Sequence, residues 1–119
     1  MSSSMLTITL LPMSTNNIVY LCSFFSYIMK PTINIEYCPK CGWLLRSAWM
    51  AQELLTTFTD DLHAVQLVPS EVAGRYIISM GDLVIWDRKR EGHFPEPKEM
   101  KKLVRDQIDP DRSLGHSDR

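Results

Sequence analysis

The stretch Thr32-Ile33-Asn34-Ile35-Glu36-Tyr37-Cys38-Pro39-Lys40-Cys41-Gly42 joins an alternating run of apolar and polar residues to a segment with helical spacing. The alternation predicts a strand over 32–37. The following segment predicts an amphipathic helix from about Cys41 to Thr59. Its expected apolar stripe is Leu44, Ala48, Ala51, Leu55 and Phe58. Two thiols therefore stand where a strand leads into a helix.

The spacing of Cys38 and Cys41 suits thiol–disulfide exchange, in which one thiolate attacks a disulfide and a second thiol resolves the product. A helix start carries partial positive charge, which lowers the pKa of a thiol placed there. Pro39 fixes one backbone angle of the loop, and Lys40 adds a positive charge that favours a thiolate. The pair therefore favours a redox site that can close and reopen a disulfide.

Two other interpretations of the cysteine pair stay open, namely half of a structural zinc site and a pair of inert thiols. A structural zinc site needs four ligands, and the sequence has no second cysteine pair. Cys22 lies far upstream, and the three histidines show no ligand spacing: His63, His93 and His116. We therefore expect no metal and no other resident cofactor.

The composition is that of one small globular domain. The chain has 119 residues, 23% of them charged, and a formal net charge of −1. This balance gives no electrostatic case for binding nucleic acid. Residues 1–29 contain no charged side chain, whereas every charged residue lies from Lys30 onward.

The uncharged segment sets the expected domain organisation. Its apolar stretch, 18–29, is too short for a membrane span, and neither a basic segment nor a cleavage site flanks it. We interpret 1–28 as a disordered extension or an upstream start artefact, with a membrane anchor or export signal as the alternative. The domain then covers 29–110, a polar C-terminal tail covers 111–119, and the expected location is cytoplasmic.

The rest of the chain predicts a small α/β (α+β) fold in the order β-α-β-β-β-α, with a mixed sheet packed against two helices. A second strand is expected over His63 to Val68, parallel to the first. A hairpin turns at Gly81-Asp82. A polar connection precedes the last helix, Pro97 to Ile108. The hairpin strands and the connection are 75–80, 83–87 and 87–96.

Four further features have modest signals. Trp43 is close enough to the thiols to contact a partner or shield a disulfide. Pro69 is interpreted as an ordinary strand-ending proline, although a proline near that position can face the redox pair of thioredoxin-like folds. The basic run 88–90 is interpreted as a solvated turn, and His93 as a loop residue without a catalytic role.

Three separated blocks of the chain resemble the Rdx family, the selenoprotein W-like group of thioredoxin-fold proteins, in its bacterial form. The resemblance covers about 30–119. The residues that carry it are Ile35-Glu36-Tyr37-Cys38-Pro39-Lys40-Cys41 with 43–55, then 86–96, and then 103–106, 108–110 and 114–119.

This resemblance implies a thioredoxin-like fold and a redox-active disulfide between Cys38 and Cys41. Selenocysteine-containing members carry selenium at the second position of the pair, which is Cys41 here. The helix-start argument instead favours Cys38 as the attacking thiolate, and we adopt that order as the sequence-based expectation. The resemblance also implies glutathione or thiol and disulfide proteins as partners.

The sequence therefore predicts a thiol–disulfide redox protein, with oxidoreductase activity as the enzymatic possibility to test. Pro39, Lys40 and Trp43 are its expected supporting residues. The alternative is a binding module of the same fold, whose cysteine pair gates a partner surface near Trp43 and the loop around Phe94 without turnover.

Overall fold

The computed structural model describes residues 29–115, so the prediction for 1–28 lies outside the described residues. Within that range no helix is both long and apolar enough to cross a membrane. The elements in chain order are β1 (Thr32–Tyr37), α1 (Leu44–Thr57), β2 (Ala64–Pro69), β3 (Tyr76–Met80), β4 (Leu83–Asp87), α2 (Arg88–Glu91) and α3 (Pro97–Ile108).

The four strands form one mixed sheet in the order β2-β1-β3-β4. β1 is parallel to β2 and antiparallel to β3, so it is hydrogen bonded on both sides. α1 makes the crossover that a parallel pair requires. This confirms the predicted fold class and the predicted parallel pairing. The end of β1 meets the end of β2, because Tyr37 pairs with Pro69.

The predicted hairpin turn lies between β3 and β4. Met80 pairs directly with Leu83, which leaves a two-residue loop of Gly81 and Asp82. Gly81 has a φ of 60°, a conformation that a side chain disfavours. Glycine at the first central position is the signature of a type II′ turn, whose twist suits antiparallel strands.

The core lies between one face of the sheet and the helices. Burial alternates strictly along β1, and the residues with buried side chains are Ile33, Ile35 and Tyr37. α1 and α3 contact each other, and both contribute side chains to the same cluster. From the neighbouring elements the cluster receives Met50, Leu54, Phe58, Ile78, Trp86, Met100 and Val104.

The inward face of α1 differs from the predicted one. Ala51 and Phe58 are buried as expected, but Leu44 and Leu55 are exposed. The residues of α1 that enter the core are Ser47, Met50, Ala51 and Leu54. Apolar side chains occupy more than one face of this helix, so periodicity alone could not select the face that the sheet covers.

A short third helix, α2, replaces part of the predicted polar connection. The Asp87 carboxylate accepts a hydrogen bond from the Lys89 N–H at 3.0 Å and caps the start of the helix. Gly92, with a φ of 86°, ends it. Four residues are too few to show a helical apolar period, which explains why the pattern gave no signal.

Ion pairs tie the C-terminal part of the chain to α1 and to the segment that follows it. Lys101 Nζ lies 2.8 Å from Glu53 Oε1. In the segment expected to be a polar tail, Arg112 makes two hydrogen bonds to the Asp61 carboxylate, at 2.6 and 2.9 Å. Leu114 also packs against the core. The described start of that segment is therefore attached to the domain.

Two leucines on α1 provide a matched test of its inward face. We expect Leu54→Ala to lower the free energy of unfolding by about 2–5 kcal/mol, because a fully buried side chain leaves a cavity. Leu45 is 81% exposed, and Leu45→Ala should change it by less than about 0.5 kcal/mol. Chemical denaturation measures both. Equal losses would contradict the assigned face.

Tyr76 provides a test of core electrostatics. Its hydroxyl is buried beside Ser47 without a well-formed hydrogen bond to any described residue. Burial raises the pKa of Tyr76 from 10.0 to about 12, while Ser47 and Arg46 act in the opposite direction. The native state therefore binds this proton more tightly, and stability falls as the pH rises through this range.

We expect Tyr76→Phe to remove this alkaline loss, which amounts to about 3 kcal/mol for a two-unit shift. At neutral pH the variant should stay within about 1 kcal/mol of the parent, because the lost hydroxyl has no strong partner. Denaturation as a function of pH measures both values. An unchanged alkaline loss would contradict the assignment.

Candidate redox site

The cysteine pair lies on a turn between β1 and α1. Cys38 follows the last residue of β1 and is 2% exposed. The chain then turns over 39–42, where the Gly42 N–H donates to the Pro39 carbonyl at 3.1 Å. Gly42 has a φ of 76°, which an α-helix cannot contain, and α1 begins only at Leu44. The helix therefore begins three residues later than predicted, and neither thiol lies within it.

The two sulfur atoms are in direct contact. The Cys41 thiol donates a hydrogen bond to Cys38 Sγ, with 2.7 Å between the sulfurs. Both cysteines are free thiols, and they differ in access to solvent, since Cys38 is buried and Cys41 is exposed. The site therefore joins a protected sulfur to an accessible one.

Hydrogen bonds shift the two thiols in opposite directions. The Cys41 thiol, and then the N–H groups of Gly74, Cys41 and Lys40, lower the pKa of Cys38 and outweigh the effect of burial. The hydrogen bond to Cys38, partial desolvation and the Cys38 charge raise the pKa of Cys41, against the Gly74 N–H and the Arg88 charge. The first negative charge of the pair thus resides on Cys38.

Backbone groups of the turn help to lower the pKa of Cys38, an effect that the sequence analysis assigned to a helix start. Lys40 acts on Cys38 through its backbone N–H, whereas the sequence argument invoked its ammonium group. Pro39 accepts the hydrogen bond that closes the turn. Pro39 and Lys40, two of the three expected supporting residues, thus act on the turn through their backbone groups.

Gly74, between β2 and β3, is a site residue that the sequence analysis missed. Its backbone N–H lowers the pKa of both thiols, and its φ is 77°. Pro69, considered for a position facing the pair, is an exposed residue at the end of β2. No local sequence pattern marked Gly74, because its role depends on strand pairing. This pairing brings the loop after β2 back to the end of β1, where the Tyr37 carbonyl accepts from the Ser70 N–H at 2.7 Å.

An aromatic cluster borders the cysteine turn. Trp43 packs edge-to-face on Phe94 with 4.8 Å between ring centroids, and on Tyr76 with 6.3 Å. Tyr76 and Phe94 also pack edge-to-face, at 5.1 Å. The structure therefore brings together Trp43 and the Phe94 loop, the two parts of the expected partner surface.

Two arginines cover these rings. The guanidinium carbon of Arg46 lies 4.0 Å from the Phe94 ring centroid. That of Arg88 lies 4.9 Å from the Phe94 centroid and 5.0 Å from the Trp43 centroid. The interpretation of Arg88 as part of a solvated turn is therefore wrong, because the hairpin and α2 direct its side chain to the redox site.

One surface depression adjoins the turn, and a second lies beside the loop between β2 and β3. The first has a volume of about 450 Å³ and includes the exposed apolar side chains of Leu45 and Trp49. Its other lining residues are Gly42, Trp43 and Arg46. The second, of about 360 Å³, includes Gly74 and Arg88 and lies on the side of the β2–β3 loop.

His93 and the metal-binding hypothesis were the other candidates for a site. His93 is exposed, and its backbone carbonyl accepts a hydrogen bond from Trp86 Nε1 at 3.1 Å. Among residues 29–115, no three His, Cys, Asp or Glu side chains are grouped in a way that could hold a metal ion.

The fold and the site define a class, namely a thioredoxin-like α/β protein with a Cys-Pro-Lys-Cys pair on the loop after its first strand. The model of the Rdx family matches residues 32–106. This chain therefore belongs to the Rdx family, and the resemblance described from its sequence is confirmed.

Solved structures agree with this assignment. The chain is 49% identical to a selenoprotein W-related protein from Vibrio cholerae, with a TM-score of 0.65, over 68% of this chain and 100% of that one. It is 50% identical to a protein from Bordetella parapertussis, also with a TM-score of 0.65, over 67% of this chain and 100% of that one. Among curated protein sequences, none matches this chain.

The opposite shifts of the two thiols give a direct test in a Cys22→Ser background. Because the Cys41 thiol is the main influence that lowers the pKa of Cys38, Cys41→Ala should raise that pKa. Cys38→Ala should lower the pKa of Cys41 for the converse reason. Ultraviolet absorbance of the thiolate as a function of pH measures both. Two thiols that titrate independently of each other would contradict the proposed hydrogen bond.

Proposed function

We propose that this protein is a thiol–disulfide redox protein that cycles between the Cys38–Cys41 dithiol and the corresponding disulfide. The observation that carries the proposal is the 2.7 Å contact between two free thiols, one buried and one exposed. A small rotation about the side-chain bonds suffices to bring such sulfurs to bonding distance. The Rdx family membership supports a redox role.

Charge and access favour different sulfurs for the attack on a partner. Cys38 carries the first negative charge, but a side chain that is 2% exposed is shielded from a partner disulfide. Cys41 is exposed and lies beside the apolar groove. We therefore propose that Cys41 forms the bond to the partner and that Cys38 resolves it, the reverse of the order expected from a helix start.

The two steps balance as follows. The Cys38 thiolate takes the Cys41 proton, and the Cys41 sulfur attacks a disulfide R–S–S–R′. The Cys41–S–R bond forms, the substrate S–S bond breaks, and R′–S⁻ leaves and takes a proton from water. Cys38 then releases its proton to water and attacks Cys41 Sγ, so that the internal disulfide forms and R–S⁻ leaves. The dithiol loses two electrons, and the substrate becomes two thiols.

The groove of Gly42, Trp43, Leu45, Arg46 and Trp49 favours a protein partner. Leu45 is 81% exposed and Trp49 45%, so an apolar partner segment would bury them next to Cys41. Glutathione is the alternative small partner, with its cysteine at the same sulfur. We propose a cytoplasmic setting, where a reducing environment would keep the pair mostly as the dithiol.

A second candidate is a redox-gated binding module without turnover. The observation that favours it is the exposed apolar surface of α1, which a binding protein would use whether or not electrons are transferred. In that case, the redox state of Cys38 and Cys41 would change partner affinity, yet catalytic amounts of the protein would not accelerate disulfide reduction.

Trapping of mixed disulfides tests the proposed function, with Cys22→Ser as the background. Cys38→Ser should accumulate a stable adduct with a disulfide reagent at Cys41, because the resolving sulfur is missing. Cys41→Ser should accumulate little adduct, because Cys38 is buried. The protein with both site cysteines should form the internal disulfide. Mass spectrometry of intact protein distinguishes these products.

The outcomes separate the hypotheses. Adducts that accumulate mainly in Cys41→Ser would reverse the proposed order and restore Cys38 as the attacking sulfur. Failure of the parent pair to form a disulfide in a glutathione redox buffer would reject the redox function itself. Reversible oxidation without accelerated substrate reduction would favour the redox-gated binding module.

A further inference from the structure

We propose that Arg88 is a positioning residue of the redox pair. Its guanidinium group is held against the rings of Trp43 and Phe94 and stabilises negative charge on the exposed sulfur of Cys41. This charge lets the Cys41 sulfur take part in thiol–disulfide exchange. The inference rests on the proposed function, and it assigns to the basic run after β4 a role in the chemistry of a distant turn.

The Arg88 side chain is held in place by its neighbours. It starts α2, directly after the capping residue Asp87. Its guanidinium carbon lies about equally far from two rings, 4.9 Å from the Phe94 centroid and 5.0 Å from the Trp43 centroid. Trp43 is two positions after Cys41 in the sequence, so these contacts fix the cation beside the cysteine turn.

The charge of Arg88 is also available to act on nearby groups. Its Nε is buried and makes no hydrogen bond to a described residue. The carboxylate adjacent to it in the sequence is engaged elsewhere, because Asp87 accepts from the Lys89 N–H and caps α2. A cation without a carboxylate partner in a partly dry setting exerts a stronger field on nearby groups than a solvated one.

Arg88 and Gly74 adjoin the same depression. Both favour the charged form of Cys41. The influences that oppose this form come mainly from Cys38, through the shared hydrogen bond and through its charge. When Cys38 takes the shared proton, those opposing influences disappear while Arg88 and Gly74 remain. Arg88 therefore acts at the step that moves charge to the exposed sulfur.

Other charged and titratable groups surround the pair and belong to every neighbouring element. Cys38 and Lys40 lie on the turn, and Arg46 lies on α1. Arg75 lies in the β2–β3 loop and Tyr76 in β3, while Asp87 and Lys89 lie on either side of Arg88 where β4 meets α2. Arg88 is singled out because its guanidinium contacts both rings and because its charge acts on Cys41.

The experiment measures Cys41 alone, in the full chain with Cys22→Ser and Cys38→Ala. The rate of alkylation by iodoacetamide as a function of pH gives the pKa of Cys41. We expect Arg88→Gln to raise it by about half a unit, a roughly three-fold loss of thiolate, as for one partly screened charge. Arg88→Lys should restore most of the loss, since it keeps the charge.

Two further variants separate charge from packing. Arg88→Met keeps an apolar chain against the rings without a charge, and it should match Arg88→Gln. Arg90→Gln is the matched control, because Arg90 is exposed and pairs with Glu91 at 2.9 Å. Its Cys41 should titrate like that of the parent. Thermal unfolding establishes which variants are folded, and any folded neutral variant suffices for the comparison.

A Cys41 pKa that is unchanged in the neutral Arg88 variants, or shifted equally by Arg90→Gln, would overturn the inference. Redox titration of the Cys22→Ser protein with its intact pair is a separate measurement. Reversible disulfide formation with no Arg88 effect would reject the role of Arg88 alone, whereas absence of any disulfide would reject the proposed function.

Discussion

The hydrogen bonding of β1 on both of its sides is the constraint on which the rest of the structure depends. β2 and β3 fix this strand in the plane of the sheet, and its alternating buried residues fix its rotation. Tyr37 is then buried. The next residue, Cys38, lies beside the chain that leaves β2, because the Ser70 N–H donates to the Tyr37 carbonyl. The position of the buried sulfur is thus a consequence of strand pairing.

A second consequence concerns the elements that meet at the turn. The parallel β1–β2 pair ends beside the cysteines, so the loop after β2 places Gly74 at both sulfurs. The antiparallel β3–β4 pair then returns the chain and directs α2 to the same place. Arg88 and Phe94 reach the site by this route. Residues from three separate parts of the sequence therefore surround two adjacent cysteines.

The proposed division of roles between the sulfurs follows from this geometry. The Cys41 thiol, and then the N–H groups of Gly74 and of the turn, lower the pKa of Cys38, where a partner has little access. In the proposed function, the accessible sulfur of Cys41 holds the shared proton until Cys38 removes it. Such an arrangement protects the charge from solvent while one reactive atom faces the groove of Trp43 and Trp49.

Much of this molecule was predictable because its signals are local. Strand alternation over 32–37, the Gly81-Asp82 turn and the Pro97 start of α3 each depend on neighbouring residues, and the structure has all three. The bounds and inward face of α1 were less predictable. Gly42 breaks the helical geometry before Leu44, and apolar residues on several faces left the choice to the sheet.

The sequence by itself determined the cysteine pair, the β-α-β-β-β-α order apart from the short helix α2, and the family, because spacing, periodicity and motif blocks are properties of the chain. Only the tertiary structure decided which sulfur is buried, which backbone N–H groups reach the sulfurs, and that Arg88 lies over Trp43 and Phe94. The physical reason is that burial and electrostatic fields depend on distances between residues far apart in sequence, which strand register sets and local patterns do not encode.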